Sequence, residues 1–290
     1  MRLQPLFDVV SEVITAAEAA AVEEVGLEDR LALFDKGVLG RGIKGLKSAR
    51  LLIGAHHWEH ATAVARQLFE LLVNIEHLAS FDNRETALKQ YNRFGLLQWL
   101  LAESRRIDFE KERGRHPGTP LESTIKDFLD KGFDEFKLSP RADGTMRWRT
   151  SWSGKTTRTL AELSSDTMRI RQYELLFSAW SEQTHATPSV FATNLFDQYE
   201  EEVIADAYAK AMDALPDSSR LITEAGFPLI NGARRREAET LSMSVTLFVH
   251  LWQQLPNVSA LNTGDMRSIL RRVREFMTRR VHGTAYSILE

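Results

Sequence analysis

Apolar positions recur at three- and four-residue intervals along most of this chain, the period of an amphipathic helix rather than of a strand. Pro5 to about Glu24 follows that pattern and stops at Gly26. Residues 37–47 hold four glycines and three cations and read as a mobile loop. A long helix is expected from about Ser48 to Ser80, and another from an N-cap at Asp82 to about Arg113, where Gly114, Pro117 and Gly118 interrupt it. Thr119 and Pro120, with Glu122 in the first turn, mark a further helix start, and that helix runs to near Lys137. Asp143-Gly144 is a turn signal and Met146 to Thr150 alternates, so residues 138–151 can form a short hairpin. Helical spacing resumes near Thr157, again from Ser165 to about His185, and then over 192–215, 233–255 and 263–281.

Helices joined by short connections predict an all-α bundle with one short hairpin and a C-terminal helical extension. The expected division is 1–45 for the first helix and loop, 46–215 for the main bundle and 216–290 for a basic helical extension. Pro216, Gly226, Pro228 and Gly232 mark the linker before that extension.

Composition narrows the chemistry. Only 8 prolines and 16 glycines stand among 290 residues, too few for a fold built on many turns. With 37 basic and 40 acidic side chains the net charge is −3, so any attraction to nucleic acid must come from a local patch. The absence of cysteine removes disulfides, thiolate metal sites and cysteine nucleophiles. No window approaches the roughly 20 apolar residues of a membrane span, and the N-terminal stretch lacks a signal-peptide core. The expectation is a soluble, cytoplasmic protein with no membrane partner.

Several motifs fail on inspection. Gly154-Lys155-Thr156 copies the end of a phosphate-binding loop, but Arg149 stands where its first glycine is required. His56 and His60 have the i,i+4 spacing of a zinc pair, yet His57-Trp58-Glu59-His60 is not the metalloprotease motif. Glu70 lies about 15 Å further along the helix axis. No metal and no cofactor is therefore expected. Ser181 and His185 sit one turn apart, but a Ser hydrolase also needs an orienting carboxylate and a Gly-x-Ser-x-Gly elbow, and that elbow is absent.

Three features remain. The helix after Ser48 carries Arg66 and Glu70 one turn apart, on a polar arc shared with His56, Glu59, His60, Asn74 and His77. The helix ending at His185 carries Glu174, Ser178, Ser181 and His185 at intervals of 4, 3 and 4, beside an apolar face with Tyr173 and Phe177. The last helix presents Arg267, Arg271 and Arg274, and Arg234-Arg235-Arg236 adds a second cluster; together these could track phosphates.

Taken together, Arg66-x-x-x-Glu70, Trp152-Ser153-Gly154-Lys155, Arg158, Tyr173 and Ser181-x-x-x-His185 resemble a large bacterial family known only as a domain of unknown function. The likeness covers roughly Leu46 to Pro188. More distantly, the architecture resembles the HEPN superfamily of helical bundles. Many of its members are metal-independent ribonucleases of toxin–antitoxin and phage-defence systems that act as dimers and close on an Arg-x4–6-His helix. No arginine stands at that spacing before His185, and Arg66 on the neighbouring helix is the substitute. The resemblance implies a cytoplasmic homodimer acting on RNA or a nucleotide, with Arg66, Glu70, Tyr173, Ser181 and His185 around the site. The alternative is a non-catalytic helical module that binds a partner protein or nucleic acid through its basic C-terminal helices, Arg66 and Glu70 then forming a structural pair.

Overall fold

A computed structural model of the chain describes residues 3–115, 120–180 and 232–280. The described residues are overwhelmingly helical, as the periodicity predicts. They divide into two compact units, one drawn from Met1–Glu76 and Ser164–Glu290, the other from His77–Leu163.

The first unit is built on α1 (Gln4–Ala21), α2 (Arg30–Gly54), most of α3 (Trp58–Ala79), α7 (Met168–Glu174), α8 (Gly232–Gln253) and α9 (Thr263–Arg280). Its centre is α8, which packs on α1, α2 and α9 and is buried on every side between Ala238 and Val249 except at Glu239. That burial includes Thr240, Ser242, Ser244 and Thr246. The Ser244 hydroxyl donates back to the Thr240 carbonyl at 2.8 Å, which satisfies it within the helix.

The glycine-rich stretch 37–47, expected as a loop, lies in the middle of α2. Two of its four glycines serve helix packing instead of a turn, while Gly37 and Gly40 have no neighbour within 4 Å of a Cβ. A Cβ at Gly42 would stand 2.9 Å from the Phe248 ring, and one at Gly45 would stand 3.0 Å from Leu68. Both positions let a neighbouring side chain rest on bare backbone. Around them Val38, Leu39, Ile43, Leu46, Ala49 and Ile53 form a continuous buried stripe at helical spacing.

The helix expected over Ser48–Ser80 is likewise interrupted. α2 stops at Gly54 and α3 starts at Trp58, with His56 in the left-handed region at φ 61°. Histidine tolerates that region better than most side chains. Here the His56 ring also bonds through Nδ1 to Oε1 of the buried Glu237 at 2.8 Å. His56 therefore belongs to the turn and not to the α3 stripe on which it was placed. The helix expected over Ser165–His185 is described only as far as Trp180, and α7 forms its first part. It passes at Leu175 into a π turn, Leu175–Ala179, closed by the Trp180 amide bonding to the Leu175 carbonyl.

The second unit holds α4 (Arg84–Glu112), α5 (Pro120–Lys131), the strands β1 (Lys137–Leu138) and β2 (Arg147–Trp148), and α6 (Thr157–Leu163). The N-cap of α4 is Asn83, whose Oδ1 accepts the Thr86 amide at 2.9 Å, one residue later than expected. α5 ends at Lys131 instead of near Lys137, because Phe133 turns left-handed at φ 60°. The hairpin is present, with Lys137 opposite Trp148 and Leu138 opposite Arg147. Its turn uses Gly144 at φ 79° and Asp143, whose carboxylate accepts the Thr145 amide.

Candidate functional site

α3 and α7 bring together three of the five residues expected at the site. In α3, Arg66, Phe69 and Glu70 are helical neighbours by spacing. Phe69 is fully buried while Arg66 and Glu70 are half-buried. Across from them Tyr173 stacks on Phe177, with ring centroids 4.7 Å apart and planes at 12°. Phe69 meets both rings, at 6.4 and 6.1 Å. The Arg66 guanidinium lies 4.2 Å from the centroid of Phe177, a cation–π contact that fixes its plane. Burial pushes the Glu70 carboxyl above the usual range, and the positive Arg66 only partly opposes it. The result is an oriented cation beside a carboxyl that protonates more readily than usual, bordered by two half-exposed aromatic rings. Such a group can hold an anion and exchange a proton with it.

Ser181 and His185 lie outside the described residues. So do the side chains of Arg234 and Arg235. Arg267, Arg271 and Arg274 are exposed on α9, and Arg272 turns back to pair with Glu12 of α1.

The Trp152–Lys155 turn has a structural role within the second unit. Trp152 is buried among His77, Phe81 and Tyr91, with ring centroids 5.5 to 6.0 Å away. Gly154 takes φ 72°, and Ser151 Oγ donates to the Lys155 carbonyl, which closes the turn. Arg158 pairs with Glu162 one turn along α6.

A second polar cluster in the first unit went unrecognised in the sequence. Arg169 is 2% exposed and saturated with acceptors. Its Nε and Nη2 donate to Glu76 Oε1 at 2.9 and 2.8 Å. Its Nη1 donates to Gln172 Oε1 at 2.9 Å, meets His250 Nδ1 at 3.2 Å and pairs with Asp166 at 2.9 Å. Ser164 Oγ donates to the other Glu76 oxygen. Burial, reinforced by Arg169, drives the His250 imidazole down to about 4, so it sits neutral with Nδ1 accepting. This network fastens α7 to α3 and α8 and thereby sets where Tyr173 and Phe177 stand. Nothing local in the sequence marks it, because Glu76 and Arg169 are 93 residues apart and His250 lies 81 further on.

The described residues thus define an all-helical protein with a single small hairpin and an arginine-on-aromatic site between α3 and α7. The chain belongs to a family of unknown function, DUF5677, whose sequence model matches residues 36–203, more than half of its length. That span contains the motifs Arg66-x-x-x-Glu70 and Trp152-x-Gly154-Lys155 and extends somewhat beyond the 46–188 expected from them. No curated protein and no solved structure matches the chain. Among the described residues, no helix is long and apolar enough to cross a membrane.

Proposed function

We propose that the α3–α7 site handles the phosphate of RNA or a nucleotide, and that the chain is a HEPN-like, metal-independent ribonuclease of bacterial defence or stress response. The observation that carries this is Arg66 seated 4.2 Å over Phe177 with Glu70 one turn away, its carboxyl shifted toward the protonated form. Metal-free cleavage of RNA needs three things. A base takes the proton of the 2′-hydroxyl as its oxygen attacks phosphorus. A cation steadies the charge gathering on the non-bridging oxygens. An acid returns a proton to the 5′-oxygen as its bond to phosphorus breaks, leaving a 2′,3′-cyclic phosphate. In this proposal Arg66 is the cation, Glu70 and His185 are the proton carriers, and Tyr173 with Phe177 is the face against which a base rests.

The test is cleavage of a labelled single-stranded RNA in excess EDTA. Arg66→Ala, Glu70→Gln and His185→Ala should each lower the rate about 100-fold or more while leaving the melting temperature within a few degrees. A parent chain that leaves RNA intact, or variants that cleave as well as the parent, would remove the proposal. The exposed Arg267, Arg271 and Arg274 on α9 favour a competing role as a non-catalytic module that binds an acidic partner. That role predicts no cleavage by the parent and loss of binding when these three are reversed in charge.

A further inference from the structure

The second unit contains a cleft that neither the family nor the α3–α7 site accounts for. It lies between α4 and the hairpin and has a volume of about 670 Å³. Four arginines line it: Arg105 from α4, and Arg141, Arg147 and Arg149 from the hairpin and its flanks. Arg105, Arg141 and Arg147 are exposed, and Arg149 is half-buried. No carboxylate lines the cleft. Among the described residues, none of the four guanidinium groups has an ion pair or a side-chain hydrogen bond. Within the same unit Arg93 pairs with Glu135, Arg106 with Glu103 and Arg158 with Glu162, while Arg113 lies over the Phe109 ring.

A chain with net charge −3 has carboxylates to spare, so four such arginines around one cavity are a local excess of positive potential. Pairing elsewhere in the unit is mostly with carboxylates three or four residues away on the same helix. The hairpin offers a single carboxylate, Asp143, which lies in the turn and accepts the Thr145 amide. Phe94 and Leu97 form an apolar floor, and half-exposed Trp148 lies among the arginines with Lys137 Nζ over its ring, 5.9 Å from the centroid. Guanidinium groups in a groove with an accessible indole suit a flexible polyanion that also offers flat rings. A run of Asp and Glu alone would satisfy the charges but would leave the indole and the apolar floor without a planar partner, which every nucleotide carries.

We infer that this cleft binds single-stranded nucleic acid, its arginines taking phosphates and Trp148 stacking on a base. The inference is independent of cleavage at the α3–α7 site, although a bound strand would be natural cargo for a protein with that activity.

The experiment uses the full chain and a fluorescein-labelled 12-nucleotide oligouridine carrying 2′-O-methyl groups. Such a probe lacks the attacking hydroxyl, so binding is read apart from any cleavage. Anisotropy titrations between 50 and 300 mM NaCl should show binding by the parent with strong salt dependence. The double variant Arg141→Glu/Arg147→Glu should weaken binding at least tenfold and lower the salt slope by about 0.7 for each phosphate no longer neutralised. Trp148→Ala should weaken it about fivefold or more without changing the slope. Lys126→Glu/Lys131→Glu, an equal charge reversal on α5 in the same unit, should leave it unchanged. Thermal melts of every variant establish that each is folded. Absence of binding at 50 mM salt would overturn the inference, as would equal weakening by the α5 pair. Heparin competing as well as RNA, together with full affinity in Trp148→Ala, would also overturn it and mark the cleft as a surface for an acidic protein.

Discussion

Arg169 in the first unit and the hairpin arginines in the second show the same side chain in opposite conditions. Arg169 is buried, and its donors meet Glu76, Gln172, Asp166 and His250. The hairpin arginines border open space with no carboxylate among the residues that line it. In the first case the charge is consumed inside the fold and positions two helices. In the second nothing in the described protein neutralises it. Whether an arginine can act on something outside the protein thus depends on what the fold has already placed around it, and a count of basic residues does not reveal that. Arg66 falls between the two, half-buried on Phe177 with one edge still accessible.

The largest test of that contrast is Arg169→Ala. It leaves the largely buried Glu76 without its cation, and should cost about 3–5 kcal/mol of stability in urea titrations. The double variant Arg169→Met/Glu76→Leu should recover most of this. Failure to recover would mean that the hydrogen-bond pattern, and not the stranded charge, governs the site.

Acid should attack the same network. The folded His250 titrates at about 4, below the ordinary value near 6.5, so the unfolded chain takes up the proton first. Its contribution is fully present above about pH 6.5 and is lost as pH falls through about 4. The full linkage is about 3 kcal/mol. His250→Asn keeps an acceptor near the position of Nδ1 and should flatten stability over that window in denaturant melts at stepped pH. An unchanged acid limb would assign the sensitivity to other groups.

Arg66→Ala should cost clearly less than Arg169→Ala, because Arg66 is half-buried where Arg169 is fully enclosed, whatever it does to activity. A destabilisation as large as that of Arg169→Ala would move Arg66 to the structural side of the comparison. The smallest effect belongs to the cleft. Arg141→Gln/Arg147→Gln should leave stability within about 0.5 kcal/mol, because neither side chain gives up a partner. A larger drop would show that these groups are paired in solution.

Much of this fold was legible in the periodicity, and the exceptions have physical causes. α8, α9 and the Asp143-Gly144 hairpin were foreseen because capping, spacing and turn residues act locally. α2 departs from the expected loop because four glycines in eleven residues resemble one, whereas Gly42 and Gly45 pack against Phe248 and Leu68. The π turn after Glu174 was invisible, since an extra residue in a helical turn leaves no mark in composition. Ser181 and His185, the last two members of the 4, 3 and 4 spacing, lie outside the described residues. At the site, Arg66, Glu70 and Tyr173 were found from one helix stripe and a resemblance. The Glu76–Arg169–His250 cluster was not, because its members meet only through tertiary packing. The hairpin was foreseen as a hairpin, but the convergence of its arginines with Arg105 of α4 was not.

The central place of α8 has a consequence for how the molecule comes into being. A ribosome completes α1 and α2 some two hundred residues before the helix they pack against. Links such as Asn257 to Asp35, Ser259 to Glu23 and Arg272 to Glu12 span 222, 236 and 260 residues. Contacts that remote make folding slow and leave early apolar surface waiting. During synthesis the part of α2 around Gly42 that meets Phe248 and Leu251 stays uncovered, open to chaperones or to another nascent copy. A chain cut short before residue 232 would keep that surface bare for its lifetime and should aggregate where the longer chain folds.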